Sequence, residues 1–120
     1  MPKILLIDDD PGIIEVMTIL LKEQHFEVFN SHHEQKLLSI IHTQKPDLIL
    51  LDLWISGMDG REVFQKIQEL QLHPKIPILI TSAKNDALKV ADQLGADGFI
   101  PKPFDIHEFI RIVKSHLSLA

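Results

Sequence analysis

Four polar stretches of this chain each follow closely on a short apolar run. Asp8-Asp9-Asp10 follows Ile4–Ile7, Asp52 follows Leu48–Leu51, Thr81-Ser82 follows Pro77–Ile80, and Lys102 lies just beyond Gly98–Ile100. Carboxylates from two such stretches repel when brought together. A pair about 4 Å apart costs on the order of 4 kcal/mol at an effective dielectric of about 20. A divalent cation relieves that repulsion, and hard carboxylate oxygens with room for water suit Mg²⁺. A lysine and a hydroxyl beside the cation are what a phosphoryl group in transfer needs for charge neutralisation.

Such chemistry requires the four stretches to meet at one edge, and the patterning provides one. The runs Lys3–Ile7, Phe26–Asn30, Asp47–Leu51, Pro77–Thr81 and Gly98–Ile100 read as five strands. Three are nearly continuous in Ile and Leu, as parallel strands buried on both faces require. Five helical patterns alternate with them. Ile13, Met17 and Leu20 share one face, as do Val63, Ile67 and Leu70, and Ile106, Phe109, Ile110, Val113 and Leu117 form a core-facing stripe. Ala87, Ala91 and Leu94 give a weaker fourth pattern. Ser31/Glu34, Asp59/Glu62 and Asp105/Glu108 have capping-box spacing, and Asp10 precedes Pro11 as an N-cap precedes a first-turn proline. Gly95 stands where a left-handed cap would close the fourth helix. The expected fold class is α/β, a doubly wound five-stranded parallel sheet with five helices on its two faces. Ligands of such sheets bind beyond the carboxyl ends of the strands, near the switch in strand order, where the four polar stretches would gather.

The composition is compatible with this reading. At 120 residues the chain suits one domain, taken here as 1–120, and 45% hydrophobic residues supply a core. There is no cysteine, so neither a disulfide nor a thiolate metal site is available. The run Ile4–Ile7 is too short for a signal peptide or a membrane span, so a cytoplasmic protein with no membrane partner is expected. A net charge of −5 argues against direct nucleic acid binding.

The sequence resembles the response-regulator receiver domains of two-component, histidine–aspartate phosphorelay signalling over essentially its whole length. The match is carried by Asp8-Asp9, Asp52-Leu53, Gly57-Met58-Asp59-Gly60, Ser82-Ala83, Gly95-Ala96-Asp97 and Lys102-Pro103-Phe104, in that order and spacing. The resemblance implies a flavodoxin-like (βα)5 receiver in which Asp52 is the phosphoacceptor. It implies Mg²⁺ bound by Asp9, by Asp8 directly or through water, by Asp52, and by the main-chain carbonyl of Trp54. Lys102 would pair with Asp52 and then with the phosphoryl oxygens, aimed by a cis Lys102-Pro103 bond. Ser82 would move to the phosphoryl group, Ala83 would leave its approach uncrowded, and Phe99 would be the aromatic switch. The partners implied are a sensor histidine kinase or a histidine phosphotransfer protein. A downstream target or output domain would bind through the fourth helix, fifth strand and fifth helix, a face that could also form a homodimer.

Some residues have plainer roles. Asp10 is assigned as a cap, and Asp47 and Asp97 as solvated turn residues. Thr81 competes with Ser82 for the hydroxyl role, since threonine at a strand end is common for propensity reasons alone. The histidines, including the adjacent His32-His33, form no zinc pattern and are expected to be exposed. The chain also departs from the family. Ser56 replaces the usual proline, Phe99 the more frequent tyrosine, and the stretch from Ala83 to Gly95 is slightly short. Trp54 is bulky for its position, either shielding an acyl phosphate from water or serving as an exposed partner contact. The alternative functions are a degenerate receiver acting as a constitutive interaction module and an aspartate-nucleophile phosphatase. The latter is disfavoured because Trp54 stands where a general acid would be needed, so no separate substrate turnover is expected. A nucleotide-binding fold is disfavoured because no glycine-rich loop follows the first strand.

Overall fold

The computed structural model describes residues 1–31, 34–55 and 57–117. The His32-His33 pair, the Glu34 side chain of the expected first capping box, and Ser56 lie outside the described residues. The elements are β1 (Lys3–Ile7), α1 (Pro11–Glu23), β2 (Glu27–Ser31), α2 (Glu34–Gln44), β3 (Leu48–Asp52), α3 (Gly60–Glu69), β4 (Ile78–Ser82), α4 (Ala87–Leu94), β5 (Gly98–Pro101) and α5 (Ile106–His116). The strands form one parallel sheet in the order β2-β1-β3-β4-β5. A two-residue antiparallel pair, Trp54–Ile55 with Met58–Asp59, decorates the loop after β3.

Alternation along each strand produces two cores. Leu5 and Ile7, Ile49 and Leu51, and Ile78 and Ile80 face one side, where Leu37 and Ile41 of α2, Val63 and Phe64 of α3, and Val90 and Ala91 of α4 cover them. Ile4 and Leu6, Leu48 and Leu50, and Leu79 face the other, against Met17 and Leu21 of α1 and Phe109 and Val113 of α5. Each such side chain, fully buried, contributes about 1.5–3 kcal/mol relative to exposure. These central strands are sealed on both faces, which is why they read as unbroken apolar runs.

Three strands begin and end one residue later than the sequence suggests. Asp47 and Pro77 belong to the entering turns, while Asp52 and Ser82 close β3 and β4 within the ladder, Asp52 pairing in register with Thr81. β2 likewise runs Glu27–Ser31, and β5 extends through Pro101. The helix signals mostly act as expected. Asp10 Oδ1 accepts from the N–H groups of Gly12 and Ile13, Asp59 from Arg61 and Asp105 from Glu108. The Glu108 side chain does not complete its box, because Arg111 takes it instead. Gly95 adopts φ 79° and caps α4. Two expected core residues face water. Leu70 is 38% exposed at the C-cap of α3, and Ile106 is 52% exposed on the first turn of α5.

One glycine fixes the junction that matters for the site. A Cβ on Gly60 would lie 2.5 Å from Leu53 Cα and 2.9 Å from the Asp52 carbonyl oxygen. Its absence lets the start of α3 pack directly on the backbone that follows β3, and Gly60 N–H donates to the Leu53 carbonyl at 3.2 Å.

Candidate functional site at the carboxyl edge

β1 is paired to β2 on one side and β3 on the other, so the strand order reverses beside it. Asp8, just past β1, and Asp52, the last residue of β3, face one another across that crevice. Asp8 is 2% and Asp52 8% exposed. Asp8, Asp9 and Asp52 each present a carboxylate oxygen, and these oxygens all lie within 4.8 Å of one another.

Each buried carboxylate is satisfied in the same divided way. Asp8 Oδ1 accepts the N–H of Asp10 at 3.0 Å, and Asp52 Oδ1 accepts the N–H of Trp54 at 3.0 Å. Their second oxygens share one donor. Lys102 Nζ donates to Asp8 Oδ2 at 2.5 Å and to Asp52 Oδ2 at 3.1 Å. Burial alone would lower the Lys102 pKa. The hydrogen bond to Asp8 and the charges of Asp52 and Asp8 outweigh it, holding the ammonium above its ordinary value of 10.5. The lysine is positioned by its backbone, since Lys102 N–H donates to the Ser82 carbonyl at 2.9 Å; the Lys102-Pro103 bond is cis.

The expected hydroxyl residues sit alongside. Ser82 is buried and its Oγ accepts the Lys84 N–H at 3.1 Å. Thr81 is buried one residue earlier, while Ala83 is exposed. Phe99 is half-buried on β5 against the core cluster that includes α4. Trp54, 45% exposed, stands at the mouth. Its ring is flanked by the Arg61 guanidinium at 5.7 Å and the Lys84 ammonium at 5.5 Å, both within cation–π range.

The sequence reading did not find Arg61 or Lys84, which carry no motif and become neighbours of Trp54 only through the fold. It paired Lys102 with Asp52 and missed the shorter contact to Asp8. Asp97 and Asp47 do more than occupy solvated turns. Asp97 Oδ2 accepts the first N–H of β4, from Ile78, at 2.9 Å, and Asp47 Oδ2 accepts the Lys3 N–H at 2.7 Å. His25, His42, His73 and His107 are exposed as expected, but His116 is half-buried, its Nε2 3.0 Å from the Asp97 carbonyl oxygen.

The donor set tests what could be held here. Three carboxylates converge, with no sulfur and no histidine among them, and this all-oxygen set fits a hard divalent cation of the Mg²⁺ kind.

The sequence matches the family described as Response regulator receiver domain over residues 4–114, and the chain belongs to that family. It is therefore a receiver domain of two-component signalling, a regulatory module. Among solved structures it is similar to a chain assigned as a response regulator from Chloroflexus aurantiacus J-10-fl, at 26% identity and a TM-score of 0.88, with 98% of this chain and 99% of that one covered. The receiver domain of NtrX from Brucella abortus is similar at 26% identity and a TM-score of 0.87, covering 98% and 99%. Against a longer NtrX chain the identity is 27% and the TM-score 0.87. This chain then spans 27% of that chain's length, with 98% of its own covered. Among the described residues no helix is long and apolar enough to cross a membrane.

Proposed function

We propose that this chain is a phosphorylation-dependent switch, with residues 1–120 acting as one receiver domain that takes a phosphoryl group from a partner's phosphohistidine onto Asp52. The observation that carries the reading is the single Lys102 ammonium spanning Asp8 and Asp52, with Asp9 beside them. An Asp52 carboxylate oxygen attacks phosphorus, the P–N bond to the donor imidazole breaks, and the imidazole leaves with that electron pair. Lys102 is placed to follow the charge from the carboxylate to the new phosphoryl oxygens. Asp9, Asp8, Asp52 and the Trp54 carbonyl would hold Mg²⁺, which when bound neutralises negative charge on the transferring group.

Ser82 then gives up the Lys84 N–H and turns its hydroxyl to the phosphoryl group, with Ala83 leaving the approach open. Phe99 packs inward behind it. The added charge biases a two-state equilibrium expressed on α4, β5 and α5. That face would meet a downstream target, an output domain or a second copy. The phosphodonor would be a sensor histidine kinase or histidine phosphotransfer protein, in the cytoplasm. The domain itself turns over no separate substrate. In this reading the Trp54 ring, gripped by Arg61 and Lys84, shields the acyl phosphate from water.

Intact-mass spectrometry after incubation with acetyl phosphate tests the proposal. One phosphoryl adduct is expected, requiring Mg²⁺ and lost in Asp52→Asn. If neither acetyl phosphate nor a phosphorylated histidine donor gives an adduct, the chain is instead a constitutive interaction module. Mg²⁺ alone should raise the unfolding free energy by about 2.7 kcal/mol at a hundredfold excess over its dissociation constant. Asp9→Ala should remove that increment.

A further inference from the structure

We propose that the amino-terminal edge of the sheet, opposite the acidic site, is a docking groove for an acidic, aliphatic-bearing linear segment of a partner protein. The segment between α3 and β4 builds it. Leu72, His73, Lys75 and Ile76 line both of two neighbouring depressions. One, of about 850 Å³, reaches Pro2, Ile41 and Leu117; the other, of about 470 Å³, reaches Ile67 and Ile78. A compact small molecule fills one hollow, whereas a flexible chain lying over the shared residues reaches both.

The groove has the chemistry of a selective surface. Its floor is apolar, with Ile41 and Leu117 buried and Pro2, Leu72 and Ile76 half-buried. Its rim carries two cations, Lys45 and Lys75, both exposed beside the exposed His42 and His73. Neither lysine makes an ion pair among the described residues. The carboxylate in the lining, Asp47, already accepts the backbone N–H of Lys3. On a chain of net charge −5, the groove lining holds two lysines against one aspartate, a local excess of positive charge beside apolar surface. Carboxylates of a partner segment complement that rim, its aliphatic side chains fit the floor, and the opposite edge repels it.

The test is fluorescence anisotropy of a short fluorescein-labelled peptide of alternating Glu and Leu, titrated with the whole chain at low ionic strength. Saturable binding that weakens with salt is expected. Affinity should fall by about tenfold or more in Lys45→Glu/Lys75→Glu, and similarly for a peptide with Gln in place of Glu. The double variant should still acquire its phosphoryl adduct, which reports an intact fold and separates this idea from the phosphoacceptor reading. Absence of binding overturns the proposal, as does equal affinity of the double variant, which would put the peptide elsewhere, or equal affinity of the Gln peptide. Binding of anionic phospholipid vesicles without binding of the peptide also overturns it and makes the groove a membrane contact.

Discussion

The two edges of this sheet use aspartate in opposite ways. At the amino edge, Asp47 and Asp97 are exposed, and each accepts a strand's first N–H, from Lys3 and Ile78. At the carboxyl edge, Asp8 and Asp52 are buried, and each obtains one N–H from its own loop, leaving a second oxygen to Lys102. The direction of the chain explains the difference. Parallel strands end in carbonyl groups at one edge and start in N–H groups at the other. Acids at the starting edge are satisfied by the sheet itself. Acids at the finishing edge share a lysine instead, and under the proposed function it is there that a metal and a phosphoryl group would act.

The contrast can be broken most forcefully at Lys102. Lys102→Met leaves two buried carboxylates facing each other and should lower the unfolding free energy by about 2–3 kcal/mol in chelator. Mg²⁺ should restore part of that loss; chemical denaturation with and without the metal measures both. At the amino edge, Asp97→Ala should cost about 1 kcal/mol through the unpaired Ile78 N–H, whereas Asp97→Asn should cost far less because it keeps an acceptor. Asp52→Asn keeps an acceptor too, yet should abolish phosphorylation, so the same replacement separates the two edges by function. A subtler effect is expected at the mouth. Trp54→Ala should shorten the phosphoryl half-life severalfold by admitting water, and Arg61→Ala should do so to a lesser degree; an unchanged decay by mass spectrometry would make Trp54 a partner contact only.

The exposed Glu108–Arg111 pair on α5 supplies the baseline, being solvated where the Asp8–Lys102–Asp52 group is buried. The hydrogen bond from Arg111 holds the Glu108 carboxyl below its ordinary value of 4.5. Its small contribution to stability is present above that ordinary value and is lost as the pH falls through the lowered one. Glu108→Gln should therefore lower neutral stability slightly and leave stability in acid, where the contribution is already lost, unchanged. A larger effect would mean that exposed pairs here are coupled to the core.

The fold and the acidic cluster were legible because both rest on local pattern. Sealed strands such as Leu48–Leu51 read as apolar runs, and the strand ends place Asp8, Asp9, Asp52 and Lys102 on one rim. What sequence could not convey was pairing in space. Arg61 and Lys84 are ordinary surface cations until the start of α3 and the loop after β4 bring them to Trp54. Leu70 and Ile106 keep helical phase with the core but are exposed at helix ends. The strand limits slipped by one because residue type alone does not say whether Asp52 or Ser82 still belongs to the ladder.

Gly60 shows how a residue without a side chain can govern the placing of a buried acid. Any larger residue would need space already held by the backbone of Asp52 and Leu53. In a saturation library selected for phosphoryl uptake, position 60 should thus be among the least permissive in the chain, nearly as intolerant as the proposed phosphoacceptor Asp52. The exposed neighbour Arg61 should accept most replacements.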